Sequence, residues 1–196
     1  MAAVETLTSP LSEEDGLRAQ LYKLLAFYLR AAPDQAGLNM ASELTGDDTP
    51  LGDAISALAK IAGKTQPIAI SQEYHDLFIG VGRGELLPYG SYYLTGFLHE
   101  KPLAKLRADM AKIGITRQPD VKEPEDHIAA ECEMMAGLIE GVFENSGGLE
   151  QQKEFYKAHL APWARHFFAD LEGAKSSVFY AALGGVGKAF FDIEEG

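Results

Sequence analysis

The sequence contains little cysteine, little positive charge and no long hydrophobic run. Its one cysteine, Cys132, excludes an internal disulfide and a zinc-type cysteine cluster, which suits a reducing compartment. No segment approaches the roughly 20 apolar residues that a membrane-spanning helix needs. Met1 to Pro10 contain no basic residue and no continuous apolar run, so we expect neither a secretory signal nor a membrane anchor there. These absences together predict a cytoplasmic protein.

Acidic residues clearly outnumber basic ones. The 196-residue chain carries 29 Asp and Glu against 17 Lys and Arg, a formal net charge of −12. Such a charge repels phosphate backbones, which disfavours nucleic-acid binding, and it attracts a partner with a basic segment. Hydrophobic residues make up 46% and charged residues 23%, as in an ordinary globular protein. We therefore expect one domain over residues 1–196 that can bury a substantial core.

Apolar residues recur at helical spacing along most of the chain, and no segment shows the sustained alternation of a strand. Ser12 has the character of an N-cap, while Pro50 and Pro102 suit the first turns of two later helices. The predicted helices cover residues 13–31, 35–44, 50–62, 71–78, 102–113, 124–143, 149–160, 162–171 and 176–191. The class is thus all-α, a single multi-helix bundle. Glycines at 184, 185 and 187 are expected to weaken the middle of the last helix.

The segment from Gly80 to Gly96 interrupts this helical pattern. Glycine and proline at such density predict a loop, but its many leucines and tyrosines are too apolar for a loop in solvent. We therefore expect it to pack, at least partly, on the helices. Residues 115–122 are predicted to be a linker to the stretch that follows.

That stretch reads EPEDH at residues 123–127. A proline and several acids are typical of a helix start, where they suit the unpaired N–H groups and the positive end of the dipole. Asp126 and His127 should then lie in the first turn, at the edge of the buried face. The predicted apolar stripe of this helix consists of Ile128, Cys132, Met135, Leu138, Ile139, Val142 and Phe143.

The residues alone leave three interpretations of Asp126 and His127. The first is a dipole-complementing acid beside a surface histidine, which the residues alone favour. The second is a metal site of the helical phosphohydrolase kind, although the order is Asp-His and the histidines at 75, 99, 159 and 166 show no recognised ligand spacing. The third is a carboxylate, with Glu123 or Glu125 nearby, that accepts a bidentate hydrogen bond from an arginine of a bound peptide.

Two glycine-rich stretches invite a phosphate-loop interpretation that their residues do not support. Residues 80–84 lack the lysine, and residues 184–188 lack the first glycine and the final hydroxyl residue of such a loop. We predict turn or packing glycines in both places. No serine or cysteine lies in a nucleophile-elbow motif either.

Three segments, EYHDLFIG at 73–80, PYGSYY at 88–93 and EPEDH at 123–127, together resemble the TorD/DmsD/NarJ family of chaperones for molybdenum-cofactor oxidoreductases. The resemblance covers most of the chain, including a closing helical region with His159 and Trp163. It implies a TorD-like helical fold and a non-catalytic cytoplasmic chaperone. Such a chaperone binds the twin-arginine signal peptide and the apoprotein of its client, for example a formate dehydrogenase or an S- or N-oxide reductase, before export.

The resemblance also implies a peptide-binding surface, and it makes the arginine-binding interpretation the favoured one. Judged by composition, most of the aromatic and apolar members would be core residues, and the alternative is an apolar groove for the signal peptide. Several relatives have tryptophan where this chain has tyrosine, which keeps the apolar character. The predicted peptide-binding residues are Tyr22, Tyr74, Leu77, Phe78, Pro88, Tyr89, Ser91, Tyr92, Glu123, Pro124, Asp126 and His127.

The remaining expectations concern cofactors, partners and assembly. We predict no metal and no cofactor; weak guanine-nucleotide binding is implied by some relatives alone. We expect no nucleic acid and no membrane embedding, and either a monomer or a homodimer that swaps elements at residues 80–96 or 115–122. Two other functions stay open at this point: a metal-dependent helical hydrolase, and a permanent interaction subunit of an oxidoreductase complex.

Overall fold

A computed structural model describes residues 11–117 and 120–196, and it contains no named strand in those ranges. The predicted all-α class is therefore confirmed, whereas the single domain over residues 1–196 stays a prediction, and the expectation for Met1 to Pro10 lies outside the described residues. No helix in the described part is both long and apolar enough to cross a bilayer. The described helices are α1 (Glu13–Arg30), α2 (Gln35–Ser42), α3 (Pro50–Ala62), α4 (Pro67–Tyr74), α5 (Gly90–Thr95), α6 (Lys101–Ile113), α7 (Ile128–Glu140), α8 (Gly148–Phe155), α9 (Ala164–Glu172) and α10 (Phe179–Glu194).

Side-chain caps explain why the first three helices begin where the sequence predicts. The Ser12 hydroxyl accepts from an amide of the first turn of α1, and Asp34 and Thr49 do the same for α2 and α3. α4 begins four residues before its predicted start, because Pro67 occupies its first turn. α4 and α8 each continue into a single π turn, over His75–Ile79 and Tyr156–Leu160.

The prediction of a loop over residues 80–96 is wrong for its last part, which forms α5. The amide of Gly90 donates to the Asp126 carbonyl oxygen (2.8 Å), and the amide of Ser91 donates to the Asp126 carboxylate (2.7 Å). A partner distant in sequence thus caps this helix, so no local signal marks its start. Gly96, at φ 81°, ends it in the left-handed region that glycine tolerates.

The predicted start of the long central helix is also wrong, because α7 begins at Ile128. The preceding residues form a turn, in which the His127 amide donates to the Pro124 carbonyl (3.1 Å). His127 is therefore the N-cap, and its Nδ1 accepts from the Ala129 amide (3.1 Å). At the other end, left-handed Gly141 stops the helix, so Val142, which the sequence assigns to the apolar stripe, is exposed and lies outside the helix.

The core surrounds α7, which α1 crosses on one side, while α10 packs against α9 and α3. Cys132 has no exposed surface, as expected of a core residue. The predicted last helix is present as α10, which runs unbroken through Gly184, Gly185 and Gly187, and a weaker middle stays a prediction. A Cβ at Gly184 would lie 2.4 Å from the Glu172 backbone nitrogen, and one at Gly187 would lie 2.1 Å from the Phe168 ring. These glycines therefore allow α10 to approach α9 closely.

Candidate functional site

The second and third motif segments meet as a short antiparallel pair. The Gly90 amide donates to the Asp126 carbonyl (2.8 Å), and the Ile128 amide donates to the Pro88 carbonyl (2.9 Å), across an isolated bridge between Tyr89 and His127. We call residues 88–91 and 123–128 the motif junction. Its hydrogen bonds hold the start of α5 beside the start of α7, so that side chains about 35 positions apart in the sequence share one surface.

Asp126 is the most buried acid of the motif junction. Its side chain is 1% exposed, and Oδ2 accepts from the Ser91 amide at 2.7 Å. Within the described residues, the other oxygen, Oδ1, has no hydrogen-bond partner, and neither does the Ser91 hydroxyl. A buried acceptor without a partner is costly, on the order of 1–3 kcal/mol. Asp126 therefore retains the capacity to accept a hydrogen bond from a ligand.

A cleft of about 420 Å³ opens beside this carboxyl group. α5, α6, α7 and the segment from Ala158 to Trp163 form its walls. Apolar surface comes from Leu94, Pro102 and Trp163, and two exposed lysines, at 101 and 105, also line it. We call it the motif cleft, lined by Gly90, Leu94, Thr95, Lys101, Pro102, Lys105, Asp126, Glu131, Ala158, His159 and Trp163.

Glu131 is a second buried acid in the motif cleft, and it was not among the predicted site residues. Its side chain is 2% exposed, and one carboxyl oxygen accepts from Trp163 Nε1 at 3.2 Å. Burial raises the pKa of Glu131 well above its usual value, and the nearby charge of Asp126 adds to the increase. The neutral acid is therefore favoured. Its position four residues after His127, on the same helix face, is the sequence signal that would have identified it.

His127, the next residue after Asp126, is also buried. Besides capping α7, its ring meets the ring of Tyr89 edge to face, with 5.2 Å between centroids. Burial lowers the pKa of His127 to about 4, although the charges of Glu123 and Asp126 oppose that change. The imidazole is thus neutral near pH 7, and it serves as a hydrogen-bond acceptor rather than as a cation.

The exposed acid of the motif junction is Glu123. It accepts a short hydrogen bond from the Tyr89 hydroxyl. Burial and this contact raise the pKa of Tyr89, and burial together with the charge of Glu123 raises that of Tyr74. The Tyr74 hydroxyl in turn donates to the Arg30 carbonyl at 2.9 Å. Tyr74, Tyr89 and Glu123 therefore form a polar rim outside the buried Asp126.

A family model described as nitrate reductase delta subunit matches residues 44–169, which include the motif junction and all the residues that line the motif cleft. The chain belongs to this family. The membership confirms the resemblance to the TorD/DmsD/NarJ chaperones.

The chain is also similar to curated proteins named Chaperone protein TorD, of which two are described here. The one from Vibrio atlanticus is 29% identical over 164 residues, which are 76% of this chain and 75% of the relative. The one from Aliivibrio salmonicida is 30% identical over 152 residues, 69% of this chain and 70% of the relative. The chain is thus a TorD-type chaperone, and this membership confirms the prediction that it is not an enzyme.

A solved structure also has this TorD-type fold. It is described as a putative redox enzyme maturation protein from Archaeoglobus fulgidus, and it matches with a TM-score of 0.58. The match covers 96% of this chain and 99% of that one at 22% identity, so it shows the shared fold.

In this TorD-type chaperone another acid of the EPEDH motif, Glu125, pairs with an arginine of the same chain. Glu125 accepts two hydrogen bonds from Arg107, from Nε at 2.9 Å and from Nη2 at 2.7 Å. Burial raises the pKa of Glu125, but the bonds and charge of Arg107 outweigh burial and leave the pKa below its usual value. Asp126, which lines the motif cleft, and the exposed Glu123 are therefore the acids of the motif junction whose carboxylates have no arginine partner among the described residues.

Several of the predicted peptide-binding side chains are covered by the chaperone itself. Phe78 is half-buried between Tyr74 and Tyr180, with ring centroids 5.1 and 5.5 Å apart. Pro88 is buried, although its carbonyl takes part in the motif junction. The half-buried ring of Tyr92 lies under the Arg83 guanidinium, 5.3 Å from the ring centroid.

Two predicted site residues belong to the core of the TorD-type fold, which corrects their assignment to a binding surface. Leu77 has no exposed surface. Tyr22 is also fully buried, and its hydroxyl donates to Glu194 at 2.8 Å. A peptide on the surface cannot contact either side chain. Sequence spacing did not reveal this, because an apolar stripe looks the same whether a helix or a ligand covers it.

The described ranges, 11–117 and 120–196, contain no group of three His, Cys, Asp or Glu side chains arranged to hold a metal ion. Of the histidines considered as ligands, His159 pairs with Asp109 at 3.0 Å, and His75 pairs with its neighbour Asp76 at 3.2 Å. The hydrolase alternative therefore has no support from these contacts, and family membership favours the chaperone.

Proposed function

We propose that this TorD-type chaperone, which acts in molybdoenzyme maturation, binds the twin-arginine signal peptide and the apoprotein of its client in the cytoplasm. The client would be a molybdenum-cofactor oxidoreductase of the formate dehydrogenase or S- or N-oxide reductase type. Binding would hold the client until its cofactor is inserted and export can begin. The observation that carries the proposal is the buried Oδ1 of Asp126 beside the motif cleft, which has no hydrogen-bond partner in the described part of the chain.

An arginine side chain fits this acceptor for geometric and energetic reasons. The guanidinium group offers several N–H donors in one plane and stays charged at all physiological pH values. A bond to Asp126 Oδ1 would satisfy a desolvated acceptor, and charge-assisted bonds are about twice as strong as neutral ones. Lysine carries the same charge as a single point, so it loses the planar match. The site should therefore discriminate between the two residues.

The two lysines of the motif cleft oppose this attraction, but less strongly than Asp126 favours it. Lys101 and Lys105 are exposed, so water and salt screen their charges. Asp126 is buried, where the same charge acts through a lower effective dielectric. Glu123 on the rim and the net charge of −12 add a further attraction for a basic peptide. The balance favours a ligand whose arginine reaches the floor of the cleft.

Substitution of Asp126 tests the proposal directly. Asp126→Asn keeps an oxygen that can accept from the Ser91 amide, so the helix content should not change. The substitution removes the charge that an arginine needs, so we expect a signal peptide to bind about ten- to a hundredfold more weakly, as for a lost charged hydrogen bond. Calorimetric titration with a synthetic twin-arginine peptide, beside a twin-lysine peptide, measures this effect.

A matched control is Asp48→Asn, which changes the same charge on an exposed side chain of the α2–α3 connection. It should leave the affinity within about twofold, since isolated surface charges contribute little. Unchanged affinity of Asp126→Asn would remove Asp126 from the site. Absence of binding to any signal peptide by the unsubstituted protein would favour a permanent subunit of an oxidoreductase complex.

A further inference from the structure

Glu131 is a buried acid that lines the same cleft as Asp126. In the described ranges the donor to its carboxyl group is the indole Nε1 of Trp163, at 3.2 Å. An indole is neutral, so it does not compensate a negative charge. Taking a carboxylate out of water without a cation is costly, and such a group keeps its proton instead. Before a peptide binds, Glu131 is therefore an uncharged acid.

The carboxyl groups of Asp126 and Glu131 lie beside adjacent residues of α5. Asp126 accepts from the Ser91 amide at 2.7 Å, and a Cβ added at Gly90 would lie 3.3 Å from Oε1 of Glu131. Consecutive Cα atoms are about 3.8 Å apart, so a guanidinium group on Asp126 Oδ1 would also lie near Glu131. A cation within about 4–6 Å favours the ionised form of a carboxyl group. An arginine on Asp126 would thus act on the proton of Glu131 as well.

We propose that Glu131 releases its proton to water when the arginine of the signal peptide pairs with Asp126, so that binding is linked to proton release. This inference rests on the proposed function and adds a second acid to the same site. Before binding, the single charge of Asp126 avoids repulsion between two buried carboxylates. In the complex the guanidinium group offsets that repulsion, and the ionised Glu131 adds its own charge to the attraction.

Charged groups from α6 and from the segment after α8 face the same cleft. Lys101 and Lys105 are exposed, so water and salt screen their charges. Burial lowers the pKa of His159, although its contact with Asp109 opposes that change. His159 is therefore neutral near pH 7 and has no extra proton that an arginine could displace. The α5 residues that line the cleft do not titrate.

Three further titratable groups lie close to Glu131 or to its partner Trp163. Tyr93 packs on the indole ring, with 5.4 Å between centroids, and Cys132 is the next residue of α7. Burial raises the pKa of the Tyr93 hydroxyl and of the Cys132 thiol, and it lowers the pKa of His127 to about 4. All three keep one protonation state between pH 6 and 8. Among these groups Glu131 is the one whose proton a bound arginine can displace in that range.

Calorimetric titration in two buffers measures the proton directly. An acetylated twin-arginine signal peptide without histidine is titrated at pH 7 in phosphate and in Tris, whose ionisation enthalpies differ, so a released proton changes the observed heat. We expect the unsubstituted protein to release at least about half a proton per complex. Glu131→Gln keeps an acceptor for Trp163 but cannot titrate, so it should release none. Infrared difference spectra should show the C=O band of a protonated carboxyl disappear on binding, in the unsubstituted protein alone.

The affinity should depend on pH in the same sense. Because the complex holds fewer protons than its separate components, binding becomes tighter as pH rises. Relative to Glu131→Gln, we expect the Kd of the unsubstituted protein to fall roughly three- to tenfold per pH unit between pH 6 and 8, tenfold being the limit for one proton.

The control variant is Glu133→Gln, which makes the same substitution on α7 at an exposed side chain that pairs with Arg30. It should release the proton as the unsubstituted protein does. Binding without proton release by the unsubstituted protein, or equal release by Glu131→Gln, would overturn this inference alone. The first of these results needs no variant, so it holds even if Glu131→Gln does not fold. Failure of the unsubstituted protein to bind any signal peptide would overturn the proposed function as well.

Discussion

Two buried acids, Asp126 and Glu131, face the same cleft but satisfy their oxygens differently. Asp126 holds the start of α5 with one oxygen and leaves the other without a partner in the described structure. Glu131 accepts from Trp163, and burial favours its neutral form. One acid is thus suited to a cationic ligand, while the other contributes a hydrogen bond to the core without a second full charge beside Asp126.

The raised pKa of Glu131 predicts a pH-dependent contribution to stability. In the folded protein Glu131 stays protonated at pH values where the unfolded chain has already released this proton, so the folded state binds more protons. Its contribution is complete below the ordinary pKa near 4.5 and is lost as pH rises toward the raised value. Glu131→Gln keeps an acceptor for Trp163 but does not titrate.

We therefore expect the stability of the unsubstituted protein, relative to Glu131→Gln, to fall as pH rises from about 5. The slope should not exceed about 1.4 kcal/mol per pH unit, the limit for one proton. Urea unfolding of both proteins at pH 5, 6, 7 and 8 measures the difference, and other titrating groups cancel because both proteins contain them. A difference that is constant across this range would contradict the burial argument.

At the scale of secondary-structure elements, acids from other segments hold the start of α10. Glu73, the first residue of the EYHDLFIG segment, accepts from the Val178 amide at 3.1 Å and the Phe179 amide at 3.0 Å. Glu85 accepts from the Lys175 and Ser176 amides at 2.9 and 3.1 Å. These contacts join α4, through Glu73, and the loop that contains Glu85 to the start of α10. Glu73 therefore has a structural role in the motif.

Glu73→Ala should destabilise the fold because it removes the acceptor for these α10 amides. Loss of a charge-assisted cap costs about 1–3 kcal/mol, which a urea unfolding curve resolves as a lower midpoint with an unchanged slope. Glu154→Ala is the control, since it removes an exposed glutamate from the surface of α8. Equal midpoints for Glu73→Ala and the unsubstituted protein would show that solvent replaces the cap without cost.

At the scale of the whole molecule, ion pairs consume much of the limited positive charge. Arg18 binds Glu194 and Asp15, Arg107 binds Glu125, and Arg165 binds Asp192. The excess of acids therefore dominates the long-range field, and a basic peptide should be steered toward the chaperone. This attraction depends on charge alone, so it does not distinguish arginine from lysine.

The salt dependence of the two rate constants should distinguish the long-range attraction of the peptide from the recognition of its arginine. We expect the association rate constant of a twin-arginine peptide to fall about tenfold between low salt and roughly 0.5 M salt, because screening removes the long-range attraction. A twin-lysine peptide has the same charge, so its association should fall equally. Its dissociation should be faster at every salt concentration, since it lacks the planar donor set. Stopped-flow fluorescence with labelled peptides measures both constants.

Either of two results would contradict this separation. Association rates that do not respond to salt would show that net charge does not steer the peptide. Equal dissociation rates for the two peptides would show that the site recognises charge but does not distinguish a guanidinium group from an ammonium group.

Most of the fold follows from local sequence, since α1, α2 and α3 begin at side-chain caps that their own residues provide. Periodicity also places Ile128, Cys132 and Met135 in the core, as the structure has them. Local sequence fails where the partner is distant. Asp126 caps the start of α5, and α7 begins only at Ile128 because the residues before it pair with residues 88–90.

Part of the candidate site, like part of the fold, could be predicted from the sequence, and the rest depends on the tertiary structure. The sequence by itself determined the all-α class, the acidic surface and the motif residues, because composition, helical periodicity and short motifs are local properties. The tertiary structure decided which of those residues share a surface. It placed Tyr22 and Leu77 in the core and added Glu131 to the cleft. Burial depends on which elements pack together, and chain position alone does not specify that packing.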